Sequence, residues 1–261
     1  SPSGVSRSSC MSPRGSDDRH GPWIRQVDRV HTMNGSDLGI PENSADPLPP
    51  TRYPWRATER PGVLAEGRFS PTNEIDRVLA RHGAAPIVDR HRVLSVGSNA
   101  SPEVMSRKMA RAGLTTPLAM TITRHEGIAV GHSAHVSLPG YIAAAPYRCA
   151  RCVRRFVALH LDDDQIAALD ATEPNYDRIE HEGDWIYASH WQVLAVHGLP
   201  VTLRTQEDLH AALSEADPRW REQFDGASTA EIAKRLAHDG TVNEWRHHWR
   251  SVGLSRHAGF V

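Results

Sequence analysis

The chain has 261 residues, 39% of them hydrophobic, with 30 Lys+Arg against 31 Asp+Glu. That is enough apolar material for one domain with a core and a substantial tail. A formal charge of -1 argues against nucleic acid or an anionic membrane as the main partner, since both select a basic face. No run approaches the roughly 18 apolar residues of a membrane span, and three cysteines do not make a disulfide framework. The opening SPSGVSRSSCMSPRGSDDRH has no apolar signal-peptide core, so the sequence reads as cytoplasmic. Lys108 and Lys234 are the only lysines; the other 28 of the 30 basic residues are arginine.

Residues 1–60 hold eight of the 18 prolines, and seven serines fall in the first 16 positions. A segment of this kind buries too little surface to offset its chain entropy, so 1–70 reads as a largely disordered tail. Met11 and Met33 stand as alternative starts within it. Trp23, Tyr53, Trp55 and Phe69 are its aromatic exceptions, either stapling it to the domain or scattered along it. A short helix is predicted over 73–82, with Ile75, Val78 and Leu79 on one face.

From Pro86 the pattern is that of a compact α+β domain, bounded at 86–200. The strand RVLSV at 92–96 runs into Gly97-Ser98-Asn99. Ser101-Pro102-Glu103 then opens a helix with a capping side chain, proline in the first turn and an acid at the positive pole. Strand runs follow at 118–123, 128–136, 141–147 and 153–161. A helical stretch with Ile166 and Leu169 on one face ends before Pro174. Further strands are predicted at 176–181 and 185–196, giving a mostly antiparallel, curled or barrel-like mixed sheet. Residues 205–261 read as a helical extension, with capping-box spacing at Thr205/Asp208 and Ser228/Glu231. Trp245 and Trp249, four apart, mark a face docked on a core rather than a nucleic-acid platform.

Two features carry chemistry. At Val96, Gly97, Ser98, Asn99 and Ala100 a glycine-bent corner aims backbone N–H groups into a partly positive concavity suited to a carboxylate or polarised carbonyl. An ordinary capped turn would look the same. In Leu169-Asp170-Ala171-Thr172-Glu173-Pro174-Asn175-Tyr176-Asp177-Arg178, Glu173 follows a helix end, where the negative pole disfavours a carboxylate. It is therefore a candidate proton shuttle, or simply a partner of Arg178, for which Asp170 is the other candidate partner. His132 and His135 lie on opposite faces of a strand, which suits no single metal; His135, with Ser133, is a candidate for the pocket wall. Cys149-Ala150-Arg151-Cys152 is half a zinc site, a disulfide or redox pair, or two inert turn cysteines, and no second half of a zinc site is evident. No metal ligand set is assigned.

The combination of a strand running into GSN with a later LDxxE and YxR resembles the gamma-glutamylcyclotransferase-like family, in particular bacterial members of unassigned function. The resemblance covers roughly 92–196. It implies a small barrel-like α+β fold and an amino-acid-derived small-molecule substrate held by Val96, Gly97, Ser98, Asn99 and Ala100. Glu173 would serve as general acid/base, with Tyr176 and His135 as further pocket residues and no cofactor. Val96 stands where the family usually has tyrosine, and Pro174 where it usually has glycine. The alternative is a non-catalytic module that binds a small metabolite or docks a protein. Either way, the sequence leaves the oligomeric state open.

Overall fold

The computed structural model describes residues 48–238 and 241–260, all within the unit Pro41–Val261. Trp23, Cys10, Met11 and Met33 lie outside the described residues, as do the first 47 positions of the segment read as a tail. From residue 48 onward the chain belongs to the fold, earlier than the boundary expected at 70. A 3-10 turn at Pro50–Arg52 leads to Tyr53, which is buried. β1 (Gly62–Ala65) and β2 (Arg68–Pro71) then pair as a hairpin, and β1 adds to a larger sheet. Strands of four residues carry too short a pattern to separate from a polar tail.

The described residues form a mixed α+β structure with seven α-helices and a ten-stranded sheet. After α1 (Ile75–Arg81) come β3 (His91–Ser95), α2 (Pro102–Arg111), β4 (Leu118–Val136), β5 (Ile142–Leu161), α3 (Asp163–Ala171), β6 (Tyr176–His181), β7 (Asp184–Ser189), β8 (Val193–Val196) and β9 (Leu199–Pro200). The helices α4 (Gln206–Ala216), α5 (Pro218–Phe224), α6 (Thr229–Leu236) and α7 (Thr241–Ser251) and the short β10 (Ser255–Arg256) complete the chain. Strand order is β10-β8-β4-β5-β3-β7-β6, with β1 and β2 beside β4 and β9 beside β8. The β3–β7 pair is parallel and the other ladders are antiparallel. Among the described residues no helix is long and apolar enough to cross a membrane.

The four strand runs expected between 118 and 161 are two long strands. Charged Arg124, Glu126, Arg154 and Arg155 suggest turns, yet the backbone ladder continues through them while those side chains face solvent. The register passes from Glu126↔Val153 to Ile128↔Arg148, so Gly127 alone opposes residues 149–152. This excursion is closed by a Cys149–Cys152 disulfide. Ser101 sits at the N-cap of α2, but its side chain makes no capping hydrogen bond, contrary to expectation. Its N–H instead closes the preceding turn on the Ser98 carbonyl. Asp162 with Gln165, and Ser228 with Glu231, form complete capping boxes.

The C-terminal helices share one core with the sheet. Trp220, Phe224, Trp245 and Trp249 pack together, and with them Ala134, Val136, Ile142 and Leu194 from β4, β5 and β8. Asp217, at the junction of α4 and α5, accepts from His248 Nε2 at 3.0 Å and ties α7 to this group.

Candidate functional site

β3 delivers Val96 in extended conformation to Gly97, whose φ of +56° is left-handed and opens the 3-10 turn Gly97–Ala100. A Cβ at position 97 would collide with the Tyr53 hydroxyl and come within 2.7 Å of the Ala144 Cβ. Glycine is required here both by conformation and by that close approach. Tyr53 Oη accepts from the Ala144 N–H at 2.6 Å and lies against the Ser98 amide. The concavity expected to receive a ligand oxygen thus receives a phenol from upstream in the same chain. Tyr53 stacks on Tyr141 with ring centroids 4.3 Å apart, and Trp55 meets both rings edge-on.

Asn99 is buried and points from the turn towards α3. Its Nδ2 donates to Glu173 Oε1 at 3.0 Å, across 74 positions of sequence. Lys108, on α2, donates to Asn99 Oδ1 at 2.7 Å and to Glu173 Oε1 at 2.6 Å, closing a triangle of amide, ammonium and carboxylate. The Lys108 and Glu173 side chains are only 14% and 12% exposed, so this is a largely buried ion pair. The backbone of Glu173 is tied at both ends: its N–H donates to the Asp170 carbonyl, and its carbonyl accepts from the Tyr176 N–H. Arg178 does not reach Glu173. Its guanidinium grips Asp170 through Nε and Nη2 at 2.9 and 3.0 Å, and the Tyr187 hydroxyl adds a third hydrogen bond to the same carboxylate.

Tyr176, on β6, donates its hydroxyl to the Ala144 carbonyl at 2.8 Å, so two tyrosines bracket one residue of β5. Burial pushes the Tyr53 and Tyr176 phenols well above 10, and nearby phenols and the Glu173 charge add to it. Tyr141 is pushed up to about 12, by burial first and Glu173 second. All three stay protonated at neutral pH and so can act as donors.

His135 lies 5.9 Å from the Tyr176 ring, centroid to centroid, and its Nδ1 shares a 2.6 Å hydrogen bond with Ser133 Oγ, which is itself 2.6 Å from Ser189 Oγ. It therefore flanks Tyr176 and makes no hydrogen bond to Glu173. Burial, then Arg246, then His190 hold its imidazole down to about 4. His132 belongs elsewhere. Its Nε2 accepts from the Arg204 N–H, so Nδ1 donates to the Ile142 carbonyl, and burial lowers it to about 3.

Four residues of this constellation were not picked out as site residues: Lys108, Tyr53, Trp55 and Tyr141. Lys108 carried a signal, being one of two lysines in a chain that otherwise uses arginine. Arginine's planar fork would not replace its compact ammonium at a single shared oxygen. Two cavities, of about 660 and 620 Å³, are lined respectively by residues such as Leu64, Met109 and Leu118 and by Val196, Asp217 and His248. Neither includes Glu173 or the Gly97–Ala100 turn; beside that turn the space is taken by tyrosine rings. Comparison with family models, curated proteins and solved structures finds no match for the chain.

Proposed function

We propose that the chain is a cyclotransferase-like enzyme of the gamma-glutamylcyclotransferase-like fold, acting on a small γ-glutamyl-type amide with Glu173 as general acid/base. One observation carries this reading: the Glu173 carboxylate, tied to the LDxxE corner, meets the Gly97-Ser98-Asn99 turn at hydrogen-bonding distance. In the reaction the free α-amine of the substrate attacks its own side-chain carbonyl, and a C–N bond forms as the ring closes. Glu173 takes a proton from that amine, the amide C–N bond breaks, and the proton passes to the departing amine as 5-oxoproline is released. Folding the substrate back on itself supplies proximity, and N–H groups of the 97–100 turn oppose the oxygen on which charge develops. Lys108 sets the Glu173 carboxylate in place and offers a second proton carrier one hydrogen bond away.

Tyr53 further supports the reading. The resemblance puts an aromatic hydroxyl at position 96, where this chain has Val96. A tyrosine hydroxyl nevertheless reaches the same turn, from position 53. On this reading substrate enters when Tyr53 releases the Ala144 and Ser98 amides. The second reading, a non-catalytic metabolite-binding module, is favoured by one feature: the protein's own tyrosine fills the cradle, while Glu173 Oε1 is engaged by Lys108 and Asn99. A panel of γ-glutamyl amides, assayed for 5-oxoproline release and for binding, separates the two. Release that falls at least about a hundredfold in Glu173→Gln, with binding kept, is the expected result for a lost proton carrier. Binding without release by the wild type favours the module, and neither release nor binding overturns both.

A further inference from the structure

β6 runs away from Glu173, and its far end turns through Glu182 and Gly183, both at positive φ, into β7. There His181 and Glu182 meet His125 of β4. Both imidazoles are buried, with side chains 9% exposed, whereas Glu182 is 62% exposed and can swing. His125 Nδ1 lies 3.9 Å from Glu182 Oε2, and His181 Nε2 lies 3.9 Å from Glu182 Oε1. One ligand atom from each of the three lies within 4.8 Å of the others. The geometry points to a divalent metal site of the zinc type, held by His125, His181 and Glu182. Nothing in the cyclotransferase reading requires it.

Three donors with nitrogen and carboxylate chemistry suit a zinc ion that keeps a fourth position for water. Ligands bound at 2.0–2.1 Å in a tetrahedron sit roughly 3.3 Å apart, so the exposed Glu182 has only a short distance to close. His125 also has the outer contact that such ligands use. Its Nδ1 is 3.1 Å from the Glu126 carbonyl, which can only accept, so Nδ1 carries the proton without metal. Its Nε2 lies 3.6 Å from Oδ2 of Asp184, whose side chain is 4% exposed and whose Oδ1 lies 3.1 Å from Arg92 Nη1. Binding shifts the proton from Nδ1 to Nε2, where the Asp184 carboxylate receives it.

Arg148 is the competitor. Its Nη1 lies 3.2 Å from His181 Nδ1 and 3.4 Å from Nε2, a cation set against the same ring. A metal displaces that contact, so the site makes a prediction that a merely structural histidine pair does not: removing Arg148 tightens metal binding.

The test titrates Zn²⁺ into the full chain after chelator treatment and dialysis, by calorimetry, with the Zn²⁺-induced rise in melting temperature as a second readout. One saturable site is expected, weakened at least about tenfold by Glu182→Gln and about 10- to 100-fold by Asp184→Asn. His125→Ala with His181→Ala should abolish it, and Arg148→Met should strengthen it. The exposed Glu182→Gln keeps the test readable if the buried histidine variants misfold. No saturable Zn²⁺ binding overturns the proposal, as does binding that Glu182→Gln leaves unchanged, which would put the ion on others among the 16 histidines. Because 5-oxoproline release is not measured, failure here leaves the Glu173 reading untouched.

Discussion

At the Tyr176 end of β6 two acids face cations within hydrogen-bonding distance: Glu173 with Lys108 at 2.6 Å and Asp170 with Arg178 at 2.9 Å. At the His181 end only Asp184 is so paired, with Arg92 Nη1 at 3.1 Å, and the histidine–carboxylate pairs stand further apart. His125 and His181 each sit 3.9 Å from Glu182, and His125 is 3.6 Å from Asp184. The first end is closed upon itself, so disturbing it should register in the stability of the fold. The second holds donors near one another but not bonded together, so disturbing it should register in ion binding while stability hardly moves.

Lys108→Met gives the largest effect expected. It strands the Glu173 carboxylate in a nearly dry site, and breaking one side of a buried pair costs about 3–5 kcal/mol, read as a lower denaturant midpoint. Replacing both partners with apolar residues of similar volume should recover most of that loss; failure to recover would show that Asn99 and the tyrosines depend on the charges themselves.

Acid comes next. As pH falls through 6.5 the unfolded chain takes a proton on His135, while the folded chain does not until about 4. The native advantage is therefore complete above 6.5 and drains between those values, by about 3 kcal/mol for this one group. Urea midpoints at pH 7 and pH 4.5 measure the slope, which His135→Gln should flatten.

Tyr53→Phe removes the acceptor for the buried Ala144 N–H and should cost about 1–3 kcal/mol, seen in the same unfolding curves. Glu182→Gln, exposed at the other end, should change metal-free stability by less than about 0.5 kcal/mol. A larger loss would mean that the His125–His181 corner is as closed as the Glu173 corner.

The helix caps at Thr205 and Ser228 and the Trp245/Trp249 face were legible because they are local, set by residues three or four apart. The Gly97 turn was legible for the same reason, and Glu173 because of the helix end it follows. Lys108 and Tyr53 were not, since their meaning depends on how α2 and the 48–60 segment lie against β5, which no short window contains. The outward-facing charges of the long strands β4 and β5 interrupt their apolar pattern in the sequence and hide their continuity. Paired backbone ignores that polarity as long as the side chains have water.

The account turns on a carboxylate that moves a proton beside a glycine-bent turn. The direct measurement is the rate of 5-oxoproline release from γ-glutamyl amides by the wild type and by Glu173→Gln, each at saturating substrate. Release by the wild type and a fall of at least about a hundredfold in the variant is the predicted outcome. Equal rates in the two proteins, or no release by the wild type from any amide it binds, would contradict it.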